Sequence, residues 1–217
     1  MTYAPATDRL REILTVVGQL LSGATVSFHG QYVTAESGPI LSPDEPKIPL
    51  FLGASGERTL AIAGRLTDGV VLNGGATPTY VAWAASQVAA AARAAGRDPQ
   101  EVEVTAWCLA SVRRDGEWNP PLDGVRRQLA EILHAPGSGA ALLRRSGLEP
   151  EIQGKLRRAR QLGIGALEKA LGDRGILSLL TVLGDPDECL RQLGQLHKHG
   201  ATWVVLQPTA LGALAGR

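Results

Sequence analysis

The stretch Ile48–Gly75, IPLFLGASGERTLAIAGRLTDGVVLNGG, leaves this chain few architectures. A short apolar run, Leu50 to Leu52, ends in Gly53-Ala54-Ser55-Gly56. A helical pattern occupies Glu57 to Leu66, and Asp68-Gly69 opens a second apolar run, Val70 to Leu72. Strand, glycine-rich turn, helix, turn, strand is a βαβ unit, and its crossover helix implies a parallel sheet. The rhythm continues downstream. Thr77-Pro78 supplies a cap and a first-turn proline for a helix running to about Ala95, with Ala84, Ala85, Ala91 and Ala92 on its packing side. Val102 to Val112 reads as a long strand. Asp185-Pro186-Asp187-Glu188 starts a helix with a buried stripe of Leu190, Leu193 and Leu196, and Trp203 to Leu206 is the last strand.

Two segments stand outside this alternation. Upstream, Thr7 or Asp8 caps an amphipathic helix bearing Leu10, Ile13, Leu14, Val17, Leu20 and Leu21, which stops at Gly23. A hairpin or extended excursion flanks His29-Gly30-Gln31, and the proline-rich segment 37–49 connects it to the βαβ unit. Further on, residues of about 120–175 are helical in pattern, rich in Gly and Arg, and read as an insertion. At 217 residues and 44% hydrophobic content the chain can bury a substantial core. A net charge of +1 carries no nucleic-acid footprint. No apolar run is long enough for a membrane helix, and Cys108 and Cys189 have neither metal nor redox spacing. These features predict no nucleic-acid partner, no membrane and a cytoplasmic setting.

Parallel α/β folds hold ligands at the carboxyl ends of their strands. Four places qualify: Gly53 to Gly56, Asn73 to Thr77, the segment after Val112, and Gln207 to Thr209. In the first, glycines allow close backbone approach, and the N–H groups and dipole of the following helix favour an anion such as phosphate. Arg58 adds a positive charge one turn in, and Glu57 opposes it. The same four residues also make an ordinary strand-to-helix turn with Ser55 as cap, the commoner meaning of a short glycine motif. His197 and His199 diverge on a helix, and His29 and His134 show no partner, so no metal site is expected. Arg144, Arg145, Arg157, Arg158 and Arg160 suit a solvated helical face better than an anion site. Asp68 reads as a turn residue. No catalytic acid, base or nucleophile can be assembled, the pattern of an enzyme whose bound cofactor carries the chemistry.

LREILTVVGQLLSG at 10–23, VSFHGQYV at 26–33, the 48–75 stretch and GDPDECLRQLGQLHKHGATWVVLQPT at 184–209 together resemble the luciferase-like monooxygenase superfamily. The wording sits nearest its coenzyme F-420-dependent, methylenetetrahydromethanopterin reductase-like branch. The resemblance implies a TIM barrel with a reduced deazaflavin, or alternatively FMN, at the strand carboxyl ends, and an organic small-molecule substrate. It implies cofactor-binding roles for Gly53, Ala54, Ser55, Gly56, Arg58 and Asn73, and names no catalytic residue. Four family strands are recognisable, around 50–53, 70–73, 102–112 and 203–207, whereas a barrel needs eight. The expected fold is therefore an incomplete α/β barrel, one domain over 1–217, holding about the C-terminal four βα units and a helical insertion. Such a half barrel is expected to dimerise or to pair with a separate N-terminal half. Gly75-Ala76 stand where the glucose-6-phosphate branch has a lysine, which argues against a sugar phosphate.

Overall fold

In a computed structural model, residues 6–42, 45–119 and 121–208 are described. In chain order the elements are α1 (Ala6–Leu21), β1 (Val26–His29), β2 (Thr34–Ser37), β3 (Phe51–Ala54), α2 (Glu57–Leu66), β4 (Gly69–Leu72), α3 (Pro78–Ala94) and β5 (Glu103–Arg114). There follow β6 (Glu117–Asn119), α4 (Leu122–His134), α5 (Ser138–Arg145), α6 (Pro150–Leu162), α7 (Ile164–Ala170) and α8 (Arg174–Ser178). The chain continues with β7 (Val182–Gly184), α9 (Pro186–Lys198) and β8 (Trp203–Pro208). The main sheet runs β3-β4-β5-β6, with β7 and β8 also on β5. Both β7 and β8 pair with β5 in parallel, whereas β6 is antiparallel to it.

Contacts divide the chain into two compact units, one of residues 1–52, 57–70 and 87–103, the other of 53–56, 71–86 and 104–217. In the first unit, α1 starts at Ala6, so Thr7 and Asp8 lie inside its first turn rather than before it. Its C-terminus closes as expected at Gly23, whose φ of +77° accompanies bonds from Gly23 N to Leu20 O and from Ala24 N to Gln19 O. The hairpin is held by Glu12 of α1. Its carboxylate accepts the N–H groups of Gln31, Tyr32 and Val33 at 2.9, 2.7 and 2.9 Å. Asp68 does similar work at the α2–β4 turn, accepting from Leu50 N at 2.8 Å and pairing with Lys47 at 2.6 Å. Arg97 donates to the carbonyls of Gly64 and Thr67 at 3.0 and 2.8 Å. Gly64 is required, because a Cβ there would overlap the Val88 carbonyl and lie 3.0 Å from Ala91 Cβ.

The second unit carries the helices α4 to α9 and the carboxyl-terminal ends of β3 and β4. Its core includes Leu109, Leu129, Leu133, Leu142, Leu156, Leu167 and Leu171. Three expectations are corrected here. Val112 is not followed by a loop: β5 runs to Arg114 and turns through Asp115 and Gly116, both with positive φ, into β6. That is the two-residue hairpin turn that Asp-Gly favours. The main sheet has six strands, not four, because β6 and β7 are three residues each and too short to register as patterns. Leu190 is 66% exposed, and α9 buries Cys189 together with the expected Leu196. The α9 start is as read, with Asp185 accepting from Glu188 N and Glu188 from Asp185 N, each at 2.8 Å. Among the described residues no helix is long and apolar enough to cross a membrane.

Desolvation raises the Glu12 pKa, but the bonds from Tyr32, Gln31 and Val33 outweigh it and hold the group below its ordinary 4.5. A depressed folded pKa means this stabilisation is complete above the ordinary value and is lost as pH falls through the folded one. Glu12→Gln should therefore lower stability at neutral pH and flatten the acid limb of a pH–stability curve measured by denaturant unfolding. Gly64→Ala should destabilise by about 1–3 kcal/mol through overpacking, read from the same midpoints.

Candidate functional site

The Gly53-Ala54-Ser55-Gly56 turn lies at the carboxyl end of β3, directly before α2. Ala54 and Ser55 are buried and Gly53 is exposed. A side chain added at Gly53 would meet nothing within 4 Å, so the backbone here faces open space. The turn is fixed from behind. Tyr80, fully buried in the first turns of α3, donates its hydroxyl to the Ser55 carbonyl at 2.8 Å. Burial pushes the phenol pKa up to about 12, partly offset by that bond, so Tyr80 is a neutral donor. Thr77 in turn fixes Tyr80: its hydroxyl accepts from Tyr80 N at 3.1 Å and donates to Ser146 O at 2.6 Å. Thr77 thus does more than cap α3, and the sequence signal for Tyr80 is one large, polar-tipped side chain in an alanine-rich helix.

At the end of β4, Asn73 is half-buried and its Oδ1 accepts from Gly74 N at 2.9 Å. Gly75 has a φ of +85°, and a Cβ there would lie 2.9 Å from Leu129 Cδ1. Gly75 and Ala76 are both buried, so this position presents no cation. At the end of β8, Gln207 stands opposite Leu109 of β5. Its Oε1 is buried with no hydrogen-bond partner among the described residues. An unpaired buried acceptor costs about 1–3 kcal/mol, which makes it a place where a donor is wanted. Arg58 stands exposed in the first turn of α2. Thr209 lies outside the described residues.

The other candidates resolve into structural parts. His197 and His199 bond through Nδ1 to the carbonyls of Ala201 and Gln195 at 2.9 and 2.7 Å. Arg160 donates to the carbonyls of Leu133, His134 and Ala135 at the end of α4, and Arg145 stacks over Trp83 at 4.9 Å. Burial pushes the Cys108 thiol up to about 12, which makes it a poor nucleophile. Among the described residues, the strand ends thus offer bare backbone, an amide and a buried acceptor.

A family model described as luciferase-like monooxygenase matches residues 3–202. The 5,10-methylenetetrahydromethanopterin reductase of Methanopyrus kandleri is 30% identical over 206 residues, covering 93% of this chain and 57% of the relative. That of Methanolobus tindarius is 28% identical over 199 residues, 90% of this chain and 58% of the relative. The solved structure of the coenzyme F-420-dependent tetrahydromethanopterin reductase from Methanopyrus kandleri superposes with a TM-score of 0.71 at 28% identity. That match covers 94% of this chain and 58% of the other. The chain therefore spans less than two thirds of the length of these relatives.

Tyr80→Phe should leave the Ser55 carbonyl unsatisfied and cost about 1–3 kcal/mol in denaturant unfolding. Gly53→Val, by contrast, should leave the melting temperature unchanged, because the added side chain meets open space.

Proposed function

The chain belongs to the luciferase-like monooxygenase family, and from that premise we propose that it is the cofactor-holding C-terminal portion of a deazaflavin-dependent oxidoreductase. The single observation that carries this reading is the Gly53–Gly56 turn: glycine backbone open to solvent at a strand's carboxyl end, braced by the Tyr80 hydroxyl. The fit with such a cofactor is good on one wall. The turn and the start of α2 suit the ribityl-phosphate side, with Arg58 in that first turn. Asn73 lies at the end of the adjacent β4, and Gln207, without a partner among the described residues, at the end of β8 on the other side of β5. A reduced deazaflavin, when bound, supplies hydride to a small organic acceptor. The chain's own residues hold the anionic end, orient the ring by backbone contact and keep water from the buried strand ends. Coenzyme F-420 is favoured over FMN because the solved reductase from Methanopyrus kandleri is named as coenzyme F-420-dependent.

A second reading has its own support in β8. Among the described residues this strand pairs only with β5, yet Trp203 is 60% and Val205 48% exposed. An apolar strand with a free edge invites another strand. We propose that a separately supplied N-terminal half, or a second copy, covers it and brings the opposite wall of the site. If no such half exists, the chain is a non-catalytic half-barrel assembly subunit. The 120–175 segment is read as an insertion within one luciferase-like domain over 1–217, and a cytoplasmic setting suits the free thiols Cys108 and Cys189.

The test is a titration of F-420 and, separately, FMN into the chain alone and with the N-terminal part of a full-length relative. The lone chain should bind weakly; adding the missing part should give F-420 binding that Gly53→Val weakens by about tenfold or more. Micromolar or tighter binding by the lone monomer overturns the incomplete-site reading. Binding unaffected by Gly53→Val overturns the assignment of the turn.

A further inference from the structure

Away from the strand ends of β3 and β4, the second unit contains a cavity of about 540 Å³. Arg113 and Trp118 line it from the β5–β6 hairpin, Arg174 from the start of α8, and Arg191 from α9, with Glu188 at its side. Three guanidiniums face one carboxylate. That surplus is local, because the whole chain is nearly neutral, with 22 basic and 21 acidic residues. Four cations elsewhere are drawn to single carboxylates: Arg11 pairs with Asp8, Lys47 with Asp68, Arg126 with Asp123 and Arg127 with Glu168. Among the described residues no carboxylate pairs with Arg113, Arg174 or Arg191.

Two of the three guanidiniums rest against one aromatic ring. Arg113 and Trp118 are opposite each other in the hairpin register, and the Arg113 Cζ lies 5.8 Å from the Trp118 ring centroid. Arg174 Cζ lies 5.6 Å from the same centroid. The Trp118 ring thus gathers two like charges, held by cation–π attraction, whose mutual repulsion a bound anion would relieve. Several of the other lining polar groups already have partners. Glu188 Oε2 accepts from Asp185 N at 2.8 Å, Gln192 both donates to and accepts from the backbone of Leu183, and Ser178 donates to Gly175 O. Beside the Gln195 amide, the cavity offers guanidinium N–H, five donors per arginine in a planar fork suited to phosphate or carboxylate. Its volume is that of a small-molecule site.

We propose that this cavity is a second binding site, for a small molecule carrying at least two oxyanion groups. Arg113 and Arg174 grip one group beside Trp118, and Arg191 grips the other from the first turns of α9. The site is separate from the Gly53–Gly56 turn and stands whether or not that turn holds a cofactor. Phosphate and carboxylate share the recognising chemistry, so the probes are inorganic pyrophosphate and triglutamate, with acetate at matched ionic strength as the control. Calorimetric titration into the full chain should show binding of one or both at 1:1, and the stronger probe identifies the phosphate or carboxylate source. Arg113→Gln with Arg174→Gln, and Arg191→Gln alone, should each weaken it by about tenfold or more. Gly53→Val should leave it unchanged. Trp118→Phe should abolish the tryptophan-fluorescence change on binding, a readout available if the double variant does not fold. Failure of both probes to bind the wild type overturns the proposal. So does displacement by acetate, affinity retained in folded arginine variants, or loss of binding with Gly53→Val.

Discussion

The sheet depends on β5. Every strand after β3 in the sheet bonds to this one twelve-residue strand, which carries β4, β6, β7 and β8. Its backbone groups are satisfied only if all of them are in place, and a buried unpaired backbone group is costly. Both faces are covered as well: Val104, Ala106, Cys108 and Ala110 are buried, and so are Thr105, Leu109 and Ser111. That is why the segment reads as a continuous apolar run rather than an alternating one. The register on β5 then decides where function can lie. It sets Gln207 opposite Leu109 and Gly184 opposite Val112, and its extension past the sheet carries Arg113 to the hairpin.

Around that strand the work is divided between rigidity and chemistry. The Gly53–Gly56 turn has no reactive side chain, but its Ser55 carbonyl is held by Tyr80, which is held by Thr77, which is held by the Ser146 carbonyl. A chain of satisfied hydrogen bonds keeps the backbone in one position without a ligand to order it, and preorganisation of this kind is what a cofactor site needs. On the far side of the same strand β8 is the reverse case, with tryptophan and valine in solvent and a free edge. Residues with high strand preference are stable there only when something covers them. The braced turn and the exposed strand are the two features on which the proposed half site rests.

Local elements were legible because their signals are local. The helix Glu57–Leu66 begins and ends where its pattern does, Gly23 closes α1 with positive φ, and Asp185 and Glu188 form the reciprocal cap that their spacing predicts. Asp68 is the turn residue it appeared to be. Where the reading went astray, the deciding neighbour was distant in sequence. Leu190 fits a helical stripe but faces solvent, because α9 packs through Cys189 alongside Leu196. The strands β6 and β7 exist only as partners of β5 and carry too few residues to announce themselves.

By itself the sequence determined the βαβ rhythm, the glycine turn at a strand end and the family to which both belong, since each is written in the order and spacing of neighbouring residues. Only the tertiary structure decided that Tyr80 braces that turn from 25 residues away, and that Arg113, Arg174 and Arg191 converge on one tryptophan-lined cavity. The physical reason is the same in both cases. A hydrogen bond to a buried carbonyl and an unpaired cluster of like charges are properties of what surrounds a residue, and strand pairing, not sequence proximity, assembles those surroundings.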